Sequence, residues 1–349
     1  MEKSTTNYGV ATKKLPNSMI EISAAIPANV FDGYRGEALK RIGKDVELPG
    51  FRKGHVPEKM LAARIGESNI LEEMAEIAIG RAYAEIIVGE KIDALGRPEV
   101  KITKIAEGNP LEFTLTTAVF PDVTLGDYKK ISAKQTKKKE EVHVSAEDVE
   151  KTLEQVKRVR AQNEATREGK ELDEKAELPP LDDAFVKTLG EYTNVADFTT
   201  KLEADIKVQK ERDMRDKVRI AIMEELVKES TIELPEIIVE QEIHRMEDEF
   251  GHEVERMGLT LDGYIKATGK TAEEMHAEWK PDAEKRAKVQ LIASKIAEVE
   301  KLKPGKEEIE HEGRILREQY PDASEERVNS YIEMLLTNEK VFKFLESVE

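Results

Sequence analysis

The chain has 349 residues, enough for two or three domains, and a formal net charge of -17. This acidic balance argues against a protein that binds nucleic acid along a broad face, so any contact with RNA should be local. The absence of cysteine excludes disulfides and thiolate metal sites.

Composition also limits shape and location. Aromatic residues make up 5% of the chain and charged residues 36%, which favours long solvated amphipathic helices over one compact globule. Residues Met1 to Leu15 contain no apolar run of the signal-peptide type. No later stretch approaches the roughly 20 apolar residues needed to cross a bilayer. We therefore expect a soluble, cytoplasmic protein.

The first predicted elements are a strand and a helix. Apolar and polar residues alternate from Met19 to Ile26, as in a half-buried strand. A helix is predicted from Asn29, its expected cap, to Val46. Its apolar stripe consists of Phe31, Tyr34, Ala38 and Ile42.

The next segment, Gly50 to Pro57, reads Gly-Phe-Arg-Lys-Gly-His-Val-Pro. Its glycines permit a tight loop, and its proline suits the first turn of a helix that stops near Gly66. Phe51, Arg52 and Lys53 should then lie at an exposed tip. An exposed phenylalanine is unfavourable unless something covers it, so this pattern predicts a docking site.

An ordinary surface turn is the alternative interpretation of this loop. Exposed ion pairs contribute only about 0 to 1 kcal/mol each. Burial of Phe51 in a partner could add roughly 1.5 to 3 kcal/mol. The ring should therefore matter as much as the charge.

The first domain continues with a helix from Ser68 to Val88, stopped by Gly89. Strands are predicted at Glu99 to Ile105 and at Leu111 to Phe120. One face of the second strand carries Leu111, Phe113, Leu115 and Val119. We assign residues 1–133 to an α+β domain whose pattern ends near Ser132.

A connector follows, assigned to residues 134–177. Lys137 to Glu141 is a charge run, and Ser145 with Asp148 should cap a helix that fades after Arg160. Ala161 to Glu177 is polar and has no structural periodicity.

Residues 178–349 are predicted to be almost entirely helical. Thr271 and Glu274 form a capping box. The expected helices are Leu202 to Val227, Pro235 to Phe250 and beyond, Thr271 to Leu302, Gly305 to Tyr320 and Ser324 to Leu345. The predicted fold is therefore multidomain α+β, with an elongated all-α C-terminal domain whose long helices project as arms.

The apolar stripes of these helices are thin and rich in methionine, which allows two interpretations. Methionine commonly fills gaps between helices. It can also supply the soft, adaptable apolar surface that a promiscuous binder needs. The residues considered for such a surface are Met214, Met223, Ile238, Met246, Phe250 and Met257.

No catalytic, metal or cofactor site is predicted. Gly269-Lys270-Thr271 resembles the end of a phosphate loop, but the earlier glycine is out of register, so a helix boundary is favoured. His311-Glu312 lacks the second histidine of a zinc helix, because Ile315 stands there. His244 and His252, two turns apart among glutamates, allow a weak metal site or, more simply, a solvated face.

The loop residues match a known family. The chain resembles bacterial trigger factor, whose signature is Gly-Phe-Arg-x-Gly-x-x-Pro. The match is complete at Gly50, Phe51, Arg52, Gly54 and Pro57, with Lys53 at the free position. Leu178 to Phe185 with Leu189-Gly190, and Pro235 after Glu233-Leu234, are similar to the family's helical domain.

The resemblance implies an ATP-independent chaperone without a cofactor. Phe51, Arg52 and Lys53 would bind protein and rRNA of the large ribosomal subunit beside the exit tunnel. The helical arms would shield unfolded or nascent polypeptides, with no role for a membrane, and free molecules could form homodimers. The six apolar residues named above are then candidate client-binding residues.

One departure concerns the middle of the chain. Typical members carry an FKBP-like prolyl isomerase domain of about 100 residues between the two ends. Here Ala161 to Glu177 alone would have to hold it, so the domain is expected to be missing and the chain not to be an enzyme. A divergent prolyl isomerase and a ribosome-independent holdase using the same arms remain the alternatives.

Overall fold

The computed structural model describes residues 8–44, 46, 56–138, 141–167, 169, 178–320 and 322–348. The strands are β1 Ala11–Leu15, β2 Met19–Ile26, β3 Ala94–Lys104, β4 Leu111–Val119, β5 Val123–Thr124 and β6 Thr231–Ile232. The helices are α1 Ala28–Asp32, α2 Arg35–Gly43, α3 Glu58–Ile65, α4 Glu67–Gly89, α5 Tyr128–Thr136, α6 Ala146–Arg167, α7 Asp183–Leu189, α8 Val195–Glu229, α9 Glu236–Arg256, α10 Leu261–Thr268, α11 Ala272–Glu300, α12 Lys306–Gln319 and α13 Glu325–Ser347.

The main sheet lies in the N-terminal part and helices fill the C-terminal part, which confirms the predicted fold class. The chain forms two compact units. Unit 1 consists of Met1–Thr124 and Thr231–Leu291, and unit 2 of Leu125–Ser230 and Ile292–Glu349. The proposed division into residues 1–133, 134–177 and 178–349 stays a prediction.

The core of unit 1 lies between an antiparallel sheet and its helices. The strand order is β1-β2-β4-β3, with Ile22 opposite Leu115 and Ala24 opposite Phe113. These side chains are buried in one cluster with the inner face of α4, which includes Ile70. Strands β2 and β4 were predicted from this apolar alternation. Strand β1 was missed because its exposed residues show no apolar period.

The predicted helix from Asn29 to Val46 is wrong in its continuity. The structure has α1 and α2 instead, with the break at Gly33 and Tyr34. Asn29 is not the cap, because Pro27 holds the N-cap position and its carbonyl accepts the amide of Phe31 at 2.9 Å. The stripe itself is confirmed in part, since Phe31 and Ala38 are buried.

Unit 2 is stabilised by polar contacts between its helices. The hydroxyl of Tyr128 on α5 donates to Glu300 at 2.6 Å, and Arg219 on α8 bonds Glu339 at 3.1 Å. The bond to Glu300 raises the pKa of Tyr128 to about 12. Within unit 2, therefore, α5 is tied to the end of α11, and α8 is tied to α13.

Helix α6 is longer than predicted, since it continues past Arg160 to Arg167. This segment lacks an apolar stripe, so periodicity did not reveal it. Ion pairs along the helix supply support of another kind, including Arg158 with Glu154 at 3.2 Å and Arg160 with Glu164 at 3.1 Å.

Candidate functional site

Of the predicted docking loop, the structure describes only the flanking residues. Gly50, Phe51, Arg52, Lys53 and Gly54 lie outside the described residues. On either side of them, Val46 and Val56 pack against the core of unit 1. Described residues on both sides of the predicted loop therefore contact the core of unit 1.

Pro57 is described and lies where the pattern placed it, at the start of a helix. It is exposed and holds the N-cap position of α3, where its carbonyl accepts the amides of Met60 and Leu61, both at 3.0 Å. A methyl group added at Gly43 would lie 3.2 Å from Leu61. Helices α2 and α3, which precede and follow the predicted loop, therefore pack closely against each other.

A second candidate site lies among α9, α10 and α11 in unit 1. Met246 and Phe250 line a cavity of about 450 Å³ there, which we call the aromatic groove. The Phe250 ring meets Tyr264 at a centroid distance of 5.1 Å and Trp279 at 5.5 Å, both edge to face. The remaining lining residues are Glu249, Thr268, Lys270, Met275, Glu278 and Arg286.

The charged groups of the aromatic groove neutralise one another. Lys270 Nζ lies 2.6 Å from a carboxylate oxygen of Glu278, and Arg286 lies 2.9 Å from Glu249. The apolar rings and thioethers are consequently bordered by paired charges. Such a surface suits apolar side chains and does not select for one sign of charge.

The other candidate client-binding residues are dispersed. Ile238 is half-buried at the beginning of α9, and Met257 follows its end with 62% of its surface exposed. Met214 and Met223 lie on α8, in unit 2. Met223 is only 4% exposed, which agrees with the gap-filling interpretation of methionine and leaves it no client-facing surface in this structure.

Trp279, Tyr264 and Met275 are lining residues that sequence reasoning missed. Met246 and Phe250 are four residues apart on α9, and Met275 and Trp279 repeat that spacing on α11. Such pairs lie on one helix face. Two large apolar pairs with the same spacing, one of them containing the only tryptophan, could have indicated facing surfaces.

The rejected phosphate loop is a helix boundary, as predicted. Gly269 ends α10 in the left-handed conformation, with φ 72°. The Thr271 hydroxyl accepts the Glu274 amide at 3.2 Å and the Glu274 carboxylate accepts the Thr271 amide at 2.9 Å. The predicted capping box is thereby confirmed.

The histidines are arranged differently from the pair considered in the sequence. His244 lies 3.5 Å from Glu247, and the same carboxylate oxygen lies 3.2 Å from His276. His252 instead approaches Glu255 at 3.6 Å. Across the described ranges, no group of three or more histidine, aspartate or glutamate side chains is placed to hold a metal ion.

Comparisons with known proteins find the same family in the N-terminal and in the C-terminal part of the chain. A sequence model of bacterial trigger factor protein matches residues 9–156, and a model of the trigger factor C-terminus matches residues 194–346. The trigger factor of Shouchella clausii is 27% identical, with 93% of this chain and 90% of that protein covered. That of Moorella thermoacetica is 26% identical, with 89% and 88% covered.

The solved structures add evidence on fold. One solved structure is described as showing promiscuous substrate recognition in the folding and assembly activities of the trigger factor chaperone. This chain matches it with a TM-score of 0.55 and 16% sequence identity. The match covers 97% of this chain and 100% of that one. In the described part of the chain, no helix combines the length and apolar character required to span a membrane.

Proposed function

Because this chain belongs to the bacterial trigger factor family, we propose that it is an ATP-independent chaperone that docks on the ribosome near the exit tunnel. It shields unfolded or nascent polypeptides there from aggregation. Its place of action is then the cytoplasm, with the large ribosomal subunit and its nascent chains as partners. The complete signature at Gly50, Phe51, Arg52, Gly54 and Pro57 supports the docking step.

The aromatic groove is the observation that best supports the proposed shielding step. It combines two methionines and three aromatic rings with a border of paired charges. Each client side chain buried there would contribute roughly 1.5 to 3 kcal/mol. Binding of that strength is reversible, so a client that folds and buries its own apolar surface is released without nucleotide hydrolysis.

The chain is proposed to act without isomerase chemistry. Residues 157–193 separate the two family matches, and α6 and α7 occupy much of that interval. The alignment to the Shouchella clausii protein spans 406 positions, so that relative carries residues with no counterpart in these 349. A domain of the FKBP type needs about 100 residues. A proline-peptide isomerisation rate that rises with purified protein would contradict this assignment.

Ribosome co-sedimentation tests the docking step. The triple variant Phe51→Ala, Arg52→Ala, Lys53→Ala should lose co-sedimentation while keeping the circular dichroism spectrum of the parent. A matched control replaces Phe120, Lys13 and Lys14 with alanine. These residues are one exposed aromatic ring and two exposed cations of the same unit. The control should sediment with ribosomes like the parent. Unchanged sedimentation of the loop variant would refute docking through these residues.

Aggregation of a denatured client protein, measured without ribosomes, separates the two steps. The loop variant should suppress aggregation as well as the parent, because its aromatic groove is intact. If it also protects clients in cells as well as the parent does, the ribosome-independent holdase is the better description.

A further inference from the structure

Helix α5, in unit 2, has one packed face and one charged face. Ile131, Ser132 and Gln135 are buried. The Ser132 hydroxyl donates to the Leu345 carbonyl on α13. All the exposed residues in the interval 128–138 are lysines, and the interval contains no acidic residue. These lysines are Lys129, Lys130, Lys134, Lys137 and Lys138. Such a concentration of positive charge is unexpected in a chain of net charge -17.

Ion pairs with other helices of unit 2 neutralise two of these lysines. Lys129 Nζ lies 2.8 Å from a carboxylate oxygen of Glu300, and Lys134 Nζ lies 3.1 Å from one of Glu225. The remaining three make no ion pair with any residue that the structure describes: Lys130, Lys137 and Lys138. Their charges are therefore available to a ligand.

Glu225 on α8 is an acidic group surrounded by several of these cations. The hydrogen bond from Lys134 lowers its pKa, and the nearby charges of Lys228 and Lys138 lower it further. Lys228 is exposed in the last turn of α8. This carboxylate therefore faces three cations, which leaves an excess of positive charge around it. We define the lysine face as Lys130, Lys134, Lys137, Lys138 and Lys228.

Stabilisation of the helices does not account for every member of the lysine face. Cations are favourable at the C-terminal end of a helix, where Lys134 and Lys137 lie on α5. The first turn of a helix favours acidic residues instead, and α5 has none there. Lys130 stands in that first turn, with its amide capped by the carboxylate of Asp127 at 3.1 Å. A cation at this position indicates a role outside the helix itself.

The spacing of the lysine face suits a linear chain of negative charges. Lys130, Lys134 and Lys138 are four residues apart, so they follow one side of the helix at intervals of about 6 Å along its axis. The helical turn continues this far, since the Lys138 amide bonds the Gln135 carbonyl at 3.1 Å. The flexible stem of each lysine lets its ammonium group reach a separate anion.

The same surface offers little to an ordinary protein segment. Within the interval 128–138 no apolar side chain is exposed. A peptide bound there would lack the buried apolar anchor on which most peptide recognition depends. A polyanion needs no such anchor, because each phosphate that a lysine neutralises releases condensed counterions.

We propose that the lysine face binds the phosphate backbone of RNA without selecting its sequence. The net negative charge of the rest of the chain does not prevent this, since exposed charges are screened beyond about 10 Å at 0.1 M salt. The source of the RNA is the large ribosomal subunit, and in that respect the inference rests on the proposed ribosome docking. The contact itself lies on unit 2 and is separate from the docking loop of unit 1.

Fluorescence anisotropy with a short labelled oligouridylate tests the contact. The protein should carry Phe51→Ala, Arg52→Ala and Lys53→Ala, so that the docking loop cannot contribute. If four lysines each neutralise one phosphate, the logarithm of the binding constant should fall with the logarithm of salt concentration with a slope of about -3. No binding at low salt, or a slope near zero, would overturn the proposal.

A pair of substitutions locates the contact on the lysine face. Lys130→Gln with Lys137→Gln removes two charges that make no ion pair in the described structure, so the fold should persist in circular dichroism. In the loop-substituted protein this pair should weaken RNA binding about tenfold and make the slope shallower by about 1.4. A matched control, Lys207→Gln with Lys217→Gln, removes two exposed lysines of α8 and should leave binding unchanged. Equal weakening by both pairs would refute a localised face.

Two further measurements identify the ligand and its source. A polyglutamate peptide of equal charge that binds more tightly than the RNA would show an acidic protein segment to be the occupant, and would refute the proposal. With the docking loop intact, Lys130→Gln with Lys137→Gln should still co-sediment with ribosomes but dissociate at a lower salt concentration than the control pair. Identical salt dependence of the two pairs would contradict rRNA as the source.

Failure of this inference can be distinguished from failure of the docking proposal. If the loop-substituted protein binds no RNA while the parent still co-sediments with ribosomes, only the lysine face is refuted. If the loop-substituted protein co-sediments as well as the parent does, docking through the loop is refuted instead.

Discussion

Two candidate client-binding methionines, Met223 and Met257, differ so much in burial that substitution of each should have a different effect. Met223 is 4% exposed and lies on α8 beside Ile222 and Leu226, both fully buried. Met257 is 62% exposed after the end of α9. Alanine at position 223 should lower stability, whereas alanine at position 257 should lower chaperone activity.

The expected change in the free energy of unfolding depends on how many buried side-chain atoms each substitution removes. At Met223, alanine removes buried side-chain atoms and leaves a cavity, so the free energy of unfolding should fall by about 2 to 5 kcal/mol. At Met257, most of the side chain already contacts water, and the change should stay within about 0.5 kcal/mol. Urea unfolding followed by far-ultraviolet circular dichroism measures both values.

Light scattering from an aggregating client supplies the second measurement. At a temperature where both variants are folded, Met257→Ala should suppress aggregation less than the parent does, because apolar surface available to clients is lost. Met223→Ala should suppress it equally well. The reasoning is refuted if the folded Met223→Ala protein loses as much suppression as Met257→Ala.

Two further predictions concern stability. Gly96 has φ 70°, and an added Cβ would lie 2.3 Å from Ile237 Cδ1, so Gly96→Ala should cost about 1 to 3 kcal/mol. Gly80 lies on a helix with open space around it, so Gly80→Ala should instead stabilise the protein by about 1 kcal/mol. Thermal unfolding in which both variants shift the midpoint in the same direction would contradict these predictions. Hydrogen bonds from Lys210 and Ser145 hold the pKa of Asp148 below its ordinary value of 3.8. The contribution of Asp148 to the stability of the fold is therefore present above pH 3.8 and is lost as the pH falls through the lowered pKa. The stability advantage of the parent over Asp148→Asn should therefore shrink on acidification from about pH 5 to pH 2, measured by urea unfolding.

The capping boxes that begin two helices, at Ser145 and at Thr271, were predicted accurately from the sequence because capping is local. Ser145 bonds Asp148 reciprocally, at 2.8 and 3.2 Å, as the pattern indicated. Ser324 likewise accepts the Arg327 amide at 3.3 Å. A capping residue and its target lie three positions apart, so both are visible in a short window of sequence.

The aromatic groove could be predicted only in part, because it depends on contacts between distant helices. Met246 and Phe250 were identified as soft apolar residues on one helix. Their contact with Trp279 joins positions about thirty residues apart, and apolar periodicity reports which face is buried but not what covers it. The same limit applies to Met223, whose 4% exposure could not be read from its own helix pattern.

The proposed docking and shielding steps would support each other, because the aromatic groove offers a client little free energy of binding. One buried client side chain contributes roughly 1.5 to 3 kcal/mol, while even a millimolar complex requires about 4.1 kcal/mol. Association and ordering of the client cost further free energy. The groove alone can therefore hold a client only weakly. A second attachment through Phe51 and its neighbours would raise the local concentration of client, in the way that linked sites strengthen one another without new contacts. In the proposed cycle, weak binding at the groove would let the client leave once it folds.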